Sequence, residues 1–150
     1  MRPSQLKNYN EAIICFEQAR SLFKAEREVL NIARCDQKIA SCLTELGEGD
    51  KALEFAQRAI DVFETAHDHR RETWALYEYG KAEILVGKLD DGLATLEGVL
   101  QIVAEDDTKD FDFILEIETR ISAVLRTIGR IDEADEIDRR LAVVRENLES

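Results

Sequence analysis

The side chains in this chain that could do chemistry are few and poorly grouped. His67 and His69 are its two histidines, and a His-x-His pair binds a metal only when a third ligand converges on it. Asp68, between them, is a poor third ligand by chain geometry, so the pair reads as a surface loop. The three cysteines are Cys15, Cys35 and Cys42. Cys35 and Cys42 stand seven residues apart on one helical face, about 10 Å along the axis, too far for a mutual disulfide or a shared metal. Each cysteine falls on an apolar helical face, which predicts small core residues in a reducing compartment. The carboxylate pairs Glu116 with Glu118 and Asp135 with Asp138 sit amid ordinary surface charge, without an enclosed pocket to shift a pKa. The sequence has no phosphate-cradling glycine loop and no serine or cysteine nucleophile with a matching histidine base. The reading is a non-enzyme without metal or cofactor.

The elements that position these residues follow from composition and period. The chain is 45% hydrophobic and 35% charged, with one proline and seven glycines, which suits an all-helical domain and not a strand-and-turn architecture. Its formal charge is −12. Residues 105 to 150 alone hold seven basic and fourteen acidic groups, a field that repels a phosphate backbone, so direct nucleic acid binding is excluded and a basic or apolar protein partner is favoured. No basic-then-apolar leader opens the chain and no apolar run nears about 18 residues, which predicts neither signal peptide nor membrane span and makes the cytoplasm the expected location.

The stretch Leu46-Gly47-Glu48-Gly49-Asp50, a helix end followed by a helix start, recurs as Val86-Gly87-Lys88-Leu89-Asp90 and Ile128-Gly129-Arg130-Ile131-Asp132. Small residues at Ala12, Ala52, Gly92 and Ala134 give intervals of 52−12 = 40, 92−52 = 40 and 134−92 = 42. A constant interval of this size marks stacked helix-turn-helix units. Seven helices are predicted, over about residues 8–25, 28–46, 50–65, 70–86, 90–104, 110–128 and 131–148, with Asp50 capping the third. Ile32, Cys35, Ile39, Cys42 and Leu46 form the seam of the second; Ile114, Ile117, Ile121, Val124 and Ile128 that of the sixth. The seventh has one apolar stripe, Ala134, Ile137, Leu141, Val144 and Leu148, where an internal helix needs two, as suits the end of a stack.

These positions resemble the tetratricopeptide repeat family over nearly the whole chain. Small residues in the first helix of each pair (Ala40, Gly80, Ser122) face small or apolar ones in the second (Ala52, Ala56 and Ala59; Gly92, Leu96 and Val99), and small side chains let helix axes approach where they cross. The family's usual period is about 34 residues; the longer one here is similar to the branch found in kinesin light chains, Pins-type polarity adaptors and bacterial peptide-responsive regulators. The aromatic expected late in the first helix is replaced by Leu43, Glu83 and Leu125. The resemblance implies an all-α, right-handed solenoid of antiparallel helix pairs, a partial unit 1–27 followed by units 28–67, 68–108 and 109–150. The first unit lacks most of its leading helix, which points to a piece of a longer protein or, alternatively, to a homodimer through the open face of the first helix.

Stacking turns successive first helices into a groove. By position, the resemblance places Arg34, Gln37, Ser41, Thr44, Trp74, Tyr77, Lys81, Thr119 and Arg126 along it. Trp74 and Tyr77 offer aromatic anchors to a peptide, while Arg34, Lys81 and Arg126 offer charge to acidic side chains. Gln37 and Ser41 stand where chaperone-tail binders of the family carry a Lys and Asn clamp, so that specialisation is not expected. The expected function is a protein- or peptide-binding adaptor. Alternatives are the regulatory or sensory part of a larger bacterial signalling or transcription-regulating protein, and a self-association module.

Overall fold

The computed structural model describes residues 1–149, and these form seven α-helices: α1 (Pro3–Ala25), α2 (Val29–Glu45), α3 (Gly49–Thr65), α4 (His69–Leu85), α5 (Leu89–Glu105), α6 (Phe111–Thr127) and α7 (Ile131–Glu149). Each of α2 to α6 is 17 residues long, and turns of three residues separate neighbours except between α5 and α6, where residues 106–110 intervene. A helix and its turn thus repeat every twenty residues, and two of them make the 40-residue period. The two extra residues in the α5–α6 connection account for the single interval of 42.

The turns explain why this spacing holds so tightly. After α2, the Gly47 amide donates to the Thr44 carbonyl at 3.1 Å and the Glu48 amide to the Leu43 carbonyl at 2.9 Å, the paired bonds of a Schellman ending. The same pair closes α4 and α6, and each of these three turns has glycine at positive φ: Gly47 at 79°, Gly87 and Gly129 at 88°. The endings of α1 and α3 use the same bonds with Arg27 (φ 59°) and His67 (φ 57°) in the left-handed region, so those two boundaries carry no glycine to announce them. Asp68 caps α4 by accepting from the Arg71 amide at 3.2 Å, which places His69 in the helix and not in a loop.

Three further expectations are corrected. Helix α1 starts at Pro3, not near residue 8, because proline suits a first helical position where its missing N–H is not needed. Asp50 does not cap α3: the cap position is Glu48, without a side-chain hydrogen bond, and Asp50 lies in the first turn. Cys15 is exposed while Cys35 and Cys42 are buried.

Burial follows the seams. Ile39, Leu43, Ala52 and Ala82 form one cluster, with Ile13 and Phe16 of α1 against it. Ala33, Ala59, Ile60, Phe63 and Ala75 form a second. The largest joins α4, α5, α6 and α7 through Tyr77, Leu93, Leu96, Val99, Ile117, Ile121, Leu125 and Ala134. The predicted small positions sit at the crossings: Ala40 and Ala52 are fully buried, and a Cβ added to Gly92 meets Ile84 Cγ1 at 2.6 Å and the Gly80 carbonyl oxygen at 3.1 Å. Arg20 Nε ties α1 to the buried Asp36 of α2 at 2.6 Å. No helix among the described residues is long and apolar enough to cross a membrane.

Candidate ligand-binding face

The nine residues expected to share one groove fall into three settings. Arg34 and Gln37 of α2 and Trp74 of α4 come together, and with Lys38 and Arg71 they line a shallow cavity of about 270 Å³. Arg34 and Lys38 lie one turn apart on α2; Arg71 and Trp74 lie one turn apart on α4. Arg71 is paired with Asp68 at 2.6 Å, whereas Arg34 and Lys38 have no carboxylate partner among the described residues. A cluster of three cations is therefore built into a chain of net charge −12.

Trp74 is held rigidly at the edge of this cavity. Its ring stacks on Phe113 of α6 with centroids 3.9 Å apart and planes within 3°, and Tyr77 meets both rings edge-on, at 6.5 Å and 5.1 Å. Stacking fixes one ring face and leaves Trp74 half-buried, able to present its remaining surface to a ligand without first losing rotamer freedom.

Tyr77 and Lys81 belong to a second setting, and here the expectation is corrected. Tyr77 is 1% exposed and its hydroxyl accepts a hydrogen bond from Arg120 Nε at 2.7 Å. Burial pushes its phenol well above the ordinary range, against the pull of Arg120. Lys81 is 7% exposed, lies over the Tyr77 ring at 4.8 Å and pairs with Glu78 at 3.1 Å. Neither side chain is free to meet a ligand: Tyr77 joins α4 to α6, and Lys81 neutralises Glu78 beneath the surface. Burial raises the Glu78 pKa, partly offset by Lys81, and Glu78 Oε2 keeps its ionic contact without a hydrogen bond. Helical spacing identifies Tyr77 as an inner position, but an inner position on a tightly packed α4 is a buried one.

Thr119 and Arg126 form a third setting, turned toward α7. Arg126 Nη2 reaches Asp135 at 2.8 Å and Asp138 at 2.7 Å, and Thr119 Oγ1 accepts from Arg145 at 3.1 Å. Neither shares the Arg34–Trp74 cavity. Ser41 and Thr44 are half-buried further along α2, with the Thr44 hydroxyl donating to the Ala40 carbonyl at 3.0 Å. Lys38 and Arg71 are cavity residues that sequence reasoning misses. Their signal is present all the same, since Lys38 lies one helical turn from Arg34 and Arg71 one turn from Trp74.

The structure is similar to two solved ones, those of Podosopora anserina putative kinesin light chain nearly identical TPR-like repeats and of a single-residue variant of the same repeats. Each aligns with a TM-score of 0.72 at 16% identity, covering 95% of this chain and 70% of the other. At that identity the likeness is one of fold. No family model matches the sequence, and no curated protein does. The fold is thus that of a tetratricopeptide-like helical repeat, an all-α solenoid of antiparallel helix pairs.

Proposed function

We propose that this chain is a protein-binding module, without catalysis of its own, that takes an acidic segment of a partner protein across α2 and α4. The observation that carries the reading is the cavity formed by Arg34, Gln37, Lys38, Arg71 and Trp74. Two guanidinium groups and an ammonium converge there beside a clamped aromatic ring, the set that suits carboxylates flanking an apolar or aromatic residue. Long-range steering opposes acidic ligands on a chain of this charge, so binding depends on local contacts.

The reading is tested with a peptide array that varies net charge, probed with the wild-type chain and with the Arg34→Glu/Lys38→Glu variant. Acidic peptides are expected to bind the wild type and to lose at least about tenfold with the variant. Equal binding of acidic and basic peptides, or an unaffected variant, rejects it. Both side chains are exposed, so the variant is expected to keep its helical content.

A further inference from the structure

The third full helix pair, α6 and α7, departs from the second, α4 and α5, in what its outer positions carry. On α6 and α7, Phe111, Ile114, Leu115, Val143, Val144 and Leu148 line a largely apolar groove of about 810 Å³ together with Glu118, Arg139 and Arg140, of which Arg140 pairs with Glu118 at 3.6 Å. The positions 42 residues earlier are His69, Glu72, Thr73, Gln101, Ile102 and Asp106. Five of six are polar there and apolar here. The groove is also open: Phe111 is 67% exposed, Val143 56% and Leu148 69%. Contiguous exposed apolar surface of this kind marks an interaction site.

Charge indicates what fits. Crossing two copies of α7 antiparallel about a two-fold axis at Val143 and Val144 lays residues 138–149 over their own equivalents, because 138 + 149 equals 143 + 144. That segment carries Arg139, Arg140 and Arg145 against Asp138, Glu146 and Glu149, a neutral stretch in a chain of charge −12; with Arg140 paired to Glu118 and Asp138 to Arg126 inside the chain, Arg139 and Arg145 stand against Glu146 and Glu149. The acidic first half of α7, with Asp132, Glu133, Asp135 and Glu136, lies outside the overlap. Arg139 and Glu146 share one edge of the helix on opposite sides of the centre, so a two-fold crossing sets Arg139 of each copy near Glu146 of the other.

We infer that this groove takes a second copy of the chain, forming an isologous dimer centred on Val143 and Val144. The face is distinct from the Arg34–Trp74 cavity, so the dimer stands or falls independently of ligand binding.

Sedimentation equilibrium across a concentration series tests it. The wild type is expected to reach twice the 17.1 kDa chain mass at about 100 µM, as suits a modest interface. Val143→Glu, at an exposed position, is expected to give a monomer with unchanged circular dichroism. Arg139→Glu is expected to weaken association about tenfold, and Arg139→Glu combined with Glu146→Arg to restore it. A monomeric wild type overturns the inference, as does a dimer untouched by Val143→Glu. So does a dimer that Leu22→Glu dissociates instead, which would place the contact on α1, or a charge swap that fails to restore association.

Discussion

The second and third helix pairs share a backbone plan and differ in what they do with one face. In the second pair, Tyr77, Ile84, Leu93, Leu96 and Val103 present an apolar surface, and α6 packs against it. Forty-two residues later the same positions are Thr119, Arg126, Asp135, Asp138 and Arg145. Their polar groups satisfy one another: Arg126 holds Asp135 and Asp138, Ser122 donates to Asp138 at 2.6 Å, and Arg145 donates to Thr119. The Ser122 hydroxyl and Arg126 hold the Asp138 carboxyl below the usual carboxylate range. One backbone plan thus carries an apolar face in one pair and a polar face that satisfies itself in the next. The same contrast explains why Thr119 and Arg126, equivalent to stacking positions one unit earlier, face α7 instead.

Exchanging residues between the two faces should break the contrast. Leu96→Asp imports the Asp138 side chain into a site with 0% exposure, leaving a carboxylate without a partner. A loss of about 4 kcal/mol or more is expected by urea unfolding, and a loss under about 1 kcal/mol would show that α6 does not depend on that surface. Lys81→Met removes the partner of buried Glu78 and is expected to cost about 3 kcal/mol at pH 7. The sign with pH follows from the raised Glu78 pKa: the folded state binds the proton more readily than the unfolded state. The penalty therefore shrinks as pH falls below neutrality toward the ordinary glutamate value. Stability measured across that window should converge on wild type, and a pH-independent deficit would reject the assignment. Tyr77→Phe, which removes the buried hydroxyl that accepts from Arg120 Nε, should cost about 1 kcal/mol. Smallest of all, Asp138→Leu on the exposed polar face should leave the urea midpoint close to the wild-type value, and a large drop there would show that the polar face is as critical as the apolar one.

Much of the architecture is legible in the sequence because glycine marks three helix ends and small residues mark each crossing. Gly47, Gly87 and Gly129 are needed for positive φ, so the α2, α4 and α6 boundaries can be read directly. The α1 and α3 endings cannot, since Arg27 and His67 adopt the same conformation without a glycine to mark it. The candidate site is less legible. Helical spacing tells which residues face inward, but not that α4 is enclosed by its neighbours and buries Tyr77 and Lys81 while leaving the end near Arg71 and Trp74 open. Nor does a period reveal that Cys15 lies exposed while Cys35 and Cys42 pack inside.

Trp74 is the one tryptophan in the chain, so its emission reports on the proposed cavity without labelling. Titration with a glutamate-rich peptide containing phenylalanine is expected to change that emission saturably, and the change is expected to vanish in Arg34→Glu/Lys38→Glu. An emission unchanged through the titration, or a change that survives the double substitution, would contradict the account.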